Sequence, residues 1–188
     1  HVPTRDPKHP AIMIHAVSLG EINATRGLVD RLHALRPDLR FIVSTTTETG
    51  FARGQELYGK RPEAILVRFP IDFTRNVARF LDSLRPDVVA LMELEVWPNF
   101  MHQCTRRGVP VVLINGRLTS HSYRNYRLVR PMVRPMFRAL EVLCVQDDTY
   151  AQRFVSLGVD PTRVQVTGTM KFDTATVAGR VEGDRELA

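Results

Sequence analysis

Short apolar runs alternate with amphipathic stretches along nearly the whole chain. Within a run the apolar residues mostly follow one another directly, which is typical of strands buried on both faces of a parallel sheet. We predict seven such strands, at residues 11–17, 40–46, 64–70, 87–93, 109–115, 141–146 and 163–168. Helical patterns follow the first six strands, at residues 21–35, 48–58, 73–84, 97–107, 117–140 and 148–157. This order predicts an α/β fold with a doubly wound, Rossmann-like parallel sheet of about seven strands.

Length and composition indicate one globular domain. The chain has 188 residues, of which 44% are hydrophobic and 24% charged, as in ordinary globular proteins. We assign residues 1–173 to this domain, and residues 174–188 to a linker because the apolar pattern stops there. No apolar run reaches the length of about 18 residues typical of a membrane-spanning helix, so we expect none. Cys104 and Cys144 lack metal-ligand spacing and favour a reducing, cytoplasmic setting.

The charge balance is basic, with 26 Lys and Arg against 20 Asp and Glu, a net charge of +6. Such a surface favours an anionic partner: a phosphate, a nucleic acid or an acidic membrane surface. The strongest signal lies in the stretch 117–140, where a helical wheel places four arginines on one side: Arg127, Arg130, Arg134 and Arg138. The other side carries Val129, Met132, Val133, Met136, Phe137 and Leu140.

Two interpretations of this basic stretch stay open. It resembles a basic amphipathic helix that meets an anionic membrane surface, although Pro131 and Pro135 would kink such a helix. It also fits an ordinary surface helix with an arginine face over a core stripe. The arginines are concentrated in one stretch and are not interleaved with aromatic residues along a face, so we expect no nucleic acid partner.

Polar loops follow the predicted strands, at the sheet edge where ligands bind in such folds. The first loop contains Ser18 and Glu21 at the spacing of a capping box, in which both residues satisfy amides of the first helical turn. Glu21 is therefore either a helix cap or a carboxylate that takes a proton from a substrate. Gly20 is the single glycine of this loop, and neither a G-x-G-x-x-G nor a Walker motif is present. This argues against a bound dinucleotide.

Glu93 and Glu95 follow the fourth predicted strand, next to Trp97. Alternation along a strand would point the two carboxylates to opposite faces, so we expect at most one to face a site. Alternatively both are solvated, with Glu95 or Asn99 capping the next helix. If the loops of Glu21 and Glu95 converge in space, we expect one pKa to be raised.

Two further loops carry candidate ligand groups. The STTTETG segment, residues 44–50, can bind an oxyanion through backbone amides and hydroxyls, while Thr47 fits an ordinary N-cap equally well. The TGTMKFD segment, residues 167–173, brings the cation of Lys171 to the same edge.

Several of these segments resemble one known family. HAVSLGE, STTTETG, MELEVWPN followed by RRGVPVVLINGRLTSHSYRNY, and TGTMKFD occur in this order between residues 11 and 173. Together they resemble the N-terminal domain of the transferases of 3-deoxy-D-manno-octulosonic acid (Kdo). The resemblance implies the N-terminal, acceptor-binding half of a GT-B glycosyltransferase. It also implies transfer of Kdo from CMP-Kdo to lipid A precursor in the lipopolysaccharide biosynthesis of Gram-negative bacteria.

The resemblance also implies roles for residues. In the family the glutamate matching Glu21 is the proposed general base, and active-site residues match Glu95, or Glu93 as its alternative, and Lys171. The same motifs assign substrate binding to Ser18, Gly20, Thr46, Thr47, Glu93, Asn115 and Arg117. Membrane or acceptor contacts fall to the four arginines of the basic stretch.

The resemblance implies an enzyme at the cytoplasmic face of the inner membrane. The family has an N-terminal membrane-anchoring segment and a C-terminal half for CMP-Kdo, both expected outside this chain, so we expect the isolated half to be inactive. We expect no metal site and no cofactor, since the acidic loops lack His or Cys partners at ligand spacing. Two other functions stay open: the acceptor domain of another GT-B glycosyltransferase, or a non-catalytic anion-binding Rossmann module supported by charge alone.

Overall fold

A computed structural model describes residues 8–170 of the chain. These residues form one parallel sheet of seven strands: β1 (Ala11–His15), β2 (Arg40–Thr45), β3 (Ala64–Arg68), β4 (Val88–Met92), β5 (Val111–Gly116), β6 (Leu140–Val145) and β7 (Val164–Val166). The helices between them are α1 (Leu19–Leu35), α2 (Glu48–Tyr58), α3 (Thr74–Leu84), α4 (Pro98–Arg106), α5 (Ser120–Leu128), α6 (Arg130–Arg138) and α7 (Asp148–Leu157). The predicted α/β class and Rossmann-like sheet are confirmed. Lys171 and the predicted linker 174–188 lie outside the described residues.

The strands lie in the order β3-β2-β1-β4-β5-β6-β7. His15, the last residue of β1, pairs with Ser44 of β2 on one side and with Leu91 of β4 on the other. The chain therefore reverses its direction of progress across the sheet between β1 and β4. In open sheets of this kind, a crevice forms at such a reversal, at the carboxyl ends of the strands.

Helices cover the sheet from both faces, which explains why the strands are apolar without alternation. On one face α1 and α2 pack against Ile14, Val43 and Met92. On the other face helices α3, α4, α6 and α7 pack against a larger cluster that includes Val89 and Leu113. Among residues 8–170, none of the helices combines the length and hydrophobicity needed to span a membrane.

The basic stretch forms two helices instead of the single kinked helix predicted for 117–140. α5 ends and α6 begins at Val129, and Pro131 lies in the first turn of α6, where a missing N–H costs nothing because no carbonyl precedes it in the helix. Leu140 already belongs to β6. The prediction that all four arginines share one side of a single helix was therefore wrong in part. Arg127 lies on α5, while Arg130, Arg134 and Arg138 share α6.

His15 is fully buried at the carboxyl end of β1, within the larger apolar cluster. Its Nδ1 lies 3.0 Å from the Ser44 hydroxyl and 3.2 Å from the Ser44 carbonyl oxygen, and its ring stacks on Phe69 with centroids 3.9 Å apart. Its Nε2 is buried without a hydrogen-bond partner among the described residues. Burial lowers the pKa of His15 to about 4, with the Ser44 carbonyl partly opposing this effect. The imidazole is therefore neutral at neutral pH.

We expect the domain to lose stability as the pH falls from about 6.5 towards 4, because the unfolded chain then binds a proton at His15 that the folded protein excludes. Between pH 7 and pH 5 the loss from this group is about 2 kcal/mol of unfolding free energy. Urea unfolding at both pH values should show a smaller loss in His15→Gln than in wild type. The exposed His102, changed to Gln, is the control, and an unaltered pH dependence in His15→Gln would contradict the assignment.

Candidate active site

Glu21 forms the capping box at the start of α1 that the sequence predicts. The Ser18 hydroxyl accepts the Glu21 N–H at 3.2 Å, and the carboxylate accepts from the Ser18 N–H at 3.3 Å. The Ser18 hydroxyl also donates to Oε1 at 2.8 Å, and the Val17 N–H donates to Oε2 at 3.0 Å. The carboxylate is thus fixed at the carboxyl end of β1, partly exposed to solvent.

Gly20 lies between Ser18 and Glu21, and packing within the domain does not require a glycine at this position. A Cβ built on Gly20 meets only the Ser18 hydroxyl, at 3.9 Å, which is ordinary contact. The first turn of α1 is therefore open on this side to whatever approaches Glu21.

Thr47 is the N-cap of α2, one of the two interpretations left open by the sequence. Its hydroxyl accepts the Gly50 N–H at 3.1 Å and donates to the Val17 carbonyl at 2.7 Å. Because its one hydroxyl hydrogen is used within the protein, the predicted role of Thr47 as a donor to a bound oxyanion does not fit this arrangement. Thr46 is exposed at the same edge.

The β4–α4 loop does not continue the alternation of the strand, so the premise for expecting Glu93 and Glu95 on opposite faces does not hold. β4 ends at Met92, and Glu93 has a left-handed backbone with φ 51°. The Glu95 N–H then bonds back to the Met92 carbonyl at 3.1 Å, closing a turn. A left-handed residue at a strand end reverses the chain direction, and for a non-glycine residue this conformation is uncommon and worth a functional explanation.

The acidic loops converge, as expected if they formed one site. Burial raises the pKa of Glu95, and the negative charges of Glu21 and Glu93 raise it further. The indole N–H of Trp97 donates to Glu95 Oε2 at 3.0 Å and partly opposes the rise. The negative charge of Glu95 in turn contributes, after burial, to a raised pKa of Tyr126 on α5. Among residues 8–170, no group of three or more His, Cys, Asp or Glu side chains is arranged to hold a metal ion.

Asp72 was missed by the sequence reasoning and holds the loop in place. Its carboxylate accepts the N–H groups of Asn99 at 3.0 Å and Phe100 at 2.8 Å, which caps α4 from the β3–α3 loop. Neither Glu95 nor Asn99 caps α4, contrary to the alternative considered from the sequence, because the N-cap position is Trp97. The sequence shows only that Asp72 is an acidic residue that follows a predicted strand. Its hydrogen-bond partners at the start of α4 could not be inferred from spacing.

Asn115 is buried, and its side chain binds the segments that follow β6 and β7. Its backbone is left-handed, with φ 53°, and its Oδ1 accepts from Gln146 Nε2 at 3.1 Å and from the Met170 N–H at 3.2 Å. Asn115 therefore fixes the chain immediately before Lys171, instead of offering its amide oxygen to a ligand. Arg117 is exposed at the same edge, and its N–H donates to the Glu93 carbonyl at 3.3 Å.

An apolar and basic surface lies beside the acidic loops. Leu128 is 84% exposed and Met132 77% exposed at the junction of α5 and α6. All four arginines of the basic stretch are exposed as well. Tyr126 packs edge-to-face on Phe137 of α6, and its pKa is raised by burial and further by the charge of Glu95, so this residue lies between the basic helices and the acidic loops.

Sequence comparison identifies relatives over nearly the whole chain. The profile of a family described as 3-Deoxy-D-manno-octulosonic-acid transferase (kdotransferase) matches residues 1–174. The chain is 34% identical to the 3-deoxy-D-manno-octulosonic acid transferase of Bordetella pertussis, over 90% of this chain and 39% of that protein. It is 32% identical to the same enzyme of Chlamydia trachomatis serovar D, over 86% of this chain and 37% of that protein. The chain thus spans less than two-fifths of the length of these relatives.

Solved structures share the fold. The UDP-GlcNAc 2-epimerase of Neisseria meningitidis matches with a TM-score of 0.63 and 13% identity, over 89% of this chain and 49% of that chain. The UDP-N-acetylglucosamine 2-epimerase of Rickettsia bellii matches with a TM-score of 0.64 and 9% identity, over 90% of this chain and 47% of that chain. Each match covers about half of a larger protein, which agrees with one Rossmann-like half of a GT-B fold.

We expect Glu21→Ala to lower the unfolding free energy of the domain by about 1 kcal/mol, since it removes the carboxylate half of the capping box. Chemical denaturation of the purified domain measures this. Glu56→Ala, which breaks the exposed ion pair with Arg53 (2.6 Å), is the control and should cost less than about 0.5 kcal/mol. Equal effects of the two substitutions would show that the box contributes nothing beyond a surface contact.

Proposed function

The chain belongs to the 3-deoxy-D-manno-octulosonic acid (Kdo) transferase family, and from this premise we propose that it is the acceptor-binding half of a glycosyltransferase. The reaction moves Kdo from CMP-Kdo to lipid A precursor, at the cytoplasmic face of the bacterial inner membrane. The observation that carries the proposal is the convergence of Glu21 and Glu95 at the carboxyl ends of β1 and β4, in a chain of this family. CMP-Kdo binds mainly to the other half of the enzyme.

Glu21 acts as the general base of the transfer. A sugar hydroxyl of the acceptor attacks the anomeric carbon of Kdo, its proton passes to the carboxylate, and CMP leaves with the electrons of the broken bond. Oε1 of Glu21 already accepts two hydrogen bonds from Ser18, whereas Oε2 accepts one from Val17. A carboxylate oxygen has two lone-pair sites, so Oε2 is the atom that takes the proton.

Glu95 supports this chemistry by its charge and its position. Departure of CMP leaves positive charge on the sugar ring, and an anion held beside the reacting carbon stabilises that charge. Glu95 is partly buried, and Trp97 holds one of its oxygens. Burial and the negative charges of Glu21 and Glu93 raise the pKa of Glu95, and positive charge developing beside the carboxylate would offset that repulsion. Lys171 is proposed as a further active-site cation.

The carboxyl edge of the sheet carries groups that fit an acceptor with both sugar and lipid parts. Gly20 leaves the first turn of α1 open, and Arg117 presents a cation on the same edge for a phosphate. Ile71 is 71% exposed and Phe73 65% exposed on the β3–α3 loop, which Asp72 attaches to α4. Because these two apolar side chains are exposed to solvent on a loop with a fixed position, they suit contact with acyl chains. The proposal includes no cofactor and no metal.

Glu21→Gln in the full-length enzyme should lower kcat by roughly 100- to 10,000-fold, the usual loss when a general base is removed. The assay is transfer of labelled Kdo from CMP-Kdo to lipid A precursor. Glu48→Gln is the control, because Glu48 also lies in a first helical turn but pairs with Arg68 on the surface at 2.6 Å. Near-normal turnover of Glu21→Gln would reduce Glu21 to a cap. A wild-type enzyme that ignores CMP-Kdo would favour another GT-B glycosyltransferase.

The basic stretch is proposed to bind anionic lipid. Each basic residue near a charged surface contributes about 1 kcal/mol, and the attraction is screened beyond roughly 10 Å at moderate salt. Leu128 and Met132 are exposed between the arginines, which suits insertion at a headgroup layer. The two-helix arrangement keeps Arg127 and Arg130 on either side of the junction at Val129.

Sedimentation of this chain with vesicles should therefore require anionic lipid and weaken at high salt. Binding should drop when glutamine replaces the four arginines Arg127, Arg130, Arg134 and Arg138. The control removes equal charge from exposed positions of α1 and of the residues that follow α1 and α2, on the other face of the sheet, by the substitutions Arg26→Gln, Arg31→Gln, Arg36→Gln and Lys60→Gln. Equal loss in both variants would indicate net charge alone, and no binding to anionic vesicles at low salt would contradict the membrane role.

A further inference from the structure

The peptide group between Val17 and Ser18 is held from both of its ends. Its carbonyl oxygen accepts the hydroxyl of Thr45 at 2.9 Å and the hydroxyl of Thr47 at 2.7 Å. Its N–H, that of Ser18, donates to Oε1 of Glu21 at 3.3 Å. A peptide group is planar, so fixing the direction of its carbonyl also fixes the direction of its N–H. The two threonines thereby orient a donor of the Glu21 carboxylate.

The threonine pair, Thr45 and Thr47, donates both of its hydroxyl hydrogens to the Val17 carbonyl oxygen. A hydroxyl has one hydrogen to donate, and a carbonyl oxygen has two lone pairs, so the two donors and the two acceptor sites match. Thr45 is fully buried at the end of β2, which makes it a rigid support. Neither hydroxyl hydrogen is left to bind a substrate.

Gly50 shows how closely the two loops approach each other. A Cβ at this position would lie 2.6 Å from the Thr45 hydroxyl, 2.7 Å from the Thr47 hydroxyl and 2.9 Å from the Val17 carbonyl oxygen. These separations are shorter than any side chain tolerates, so glycine is required for the start of α2 to reach the loop of Glu21. The hydroxyl oxygens of Thr45 and Thr47 and the carbonyl oxygen of Val17 therefore all lie directly against the backbone of Gly50.

The capping box alone does not anchor Glu21 to the sheet, because Ser18 and Glu21 both belong to the exposed start of α1. The threonine pair supplies that anchor from β2 and α2. A second N–H on the same loop, that of Val17, donates to Oε2 at 3.0 Å. Both donors to the carboxylate that come from the strand end therefore depend on where the Val17–Ser18 segment lies.

We propose that Thr45 and Thr47 are positioning residues for Glu21, acting through the Val17–Ser18 peptide group. The inference rests on the proposed function, in which Glu21 is the base. A displaced base is a poorer proton acceptor, since rates depend steeply on the geometry of the reacting atoms. The hydroxyls of Thr45 and Thr47 in the STTTETG segment thus assist the reaction by fixing the position of Glu21, without contacting the substrate.

The test uses full-length enzyme carrying Thr45→Val and Thr47→Val together, which removes both donors and nearly preserves side-chain shape. We expect kcat to fall by about 10- to 100-fold while KM for the acceptor stays nearly unchanged. Thr45→Ser with Thr47→Ser restores both hydroxyls and should recover most of the rate. Thr105→Val is the matched control, because the Thr105 hydroxyl also donates to a backbone carbonyl, that of Met101 at 3.0 Å, but within α4 and outside the candidate site.

A double-mutant cycle separates positioning from general loss of structure. In the Glu21→Gln background the base is already gone, so adding Thr45→Val and Thr47→Val should lower the residual rate by less than about twofold. If the effects instead multiply, the threonines act on something other than Glu21 and the inference is overturned. Should the double valine variant fail to fold, Thr45→Val alone, which leaves the Thr47 cap of α2 intact, carries the same cycle.

The outcomes distinguish this inference from the proposed function. A fully active Glu21→Gln enzyme contradicts the proposed function itself. An inactive Glu21→Gln enzyme together with an unimpaired Thr45→Val/Thr47→Val enzyme contradicts only the positioning role. A rise in acceptor KM with unchanged kcat also overturns the inference, since it would assign the threonines to substrate binding.

Discussion

The parallel pairing of β1 with β4, in which His15 lies opposite Leu91, places two loops side by side that are far apart in the chain. β2 and β3 come between these strands in sequence but lie on the other side of β1 in the sheet. Because parallel strands end at the same edge, the loop of Glu21 and the loop of Glu95 meet there. Burial raises the pKa of Glu95, and the nearby charge of Glu21 raises it further as a consequence of this meeting. The candidate active site depends on that one strand pairing.

At Glu21 the observed role of capping a helix is compatible with the proposed role of accepting a proton. The hydrogen bonds of the capping box hold the carboxylate against the start of α1 but leave Oε2 with a single donor. A carboxylate fixed in this way has lost its rotational freedom before a substrate binds, and such fixed positioning is a general source of catalytic rate in a residue that acts as a base. The threonine pair extends the same principle one peptide group further, into β2 and α2.

The ends of β4 and β5 share an unusual backbone feature. Glu93 and Asn115 are both left-handed although neither is glycine; Glu93 directly follows β4, and Asn115 is the second-last residue of β5. At Glu93 the chain turns so that Glu95 comes back over the strand end, beside Trp97. At Asn115 the side chain binds Gln146 and Met170, which connects β5 to β6 and to the segment before Lys171. Such residues are kept where the surrounding contacts outweigh their local cost.

The sequence by itself determined the class of fold, the positions of the seven strands and the capping box at Ser18 and Glu21, because these depend on local periodicity and on spacing within one turn. Most helices followed from the same pattern, and the motif order pointed to the family. Tertiary structure alone decided the turn at Glu93, the capping of α4 by Asp72, the break of the basic stretch at Val129 and the commitment of Thr47 to Val17. Each of these depends on which distant group lies within hydrogen-bonding or packing distance, and a linear pattern contains no distances between strands. The candidate site residues could be identified from the sequence, but the partners that orient them are set by the sheet.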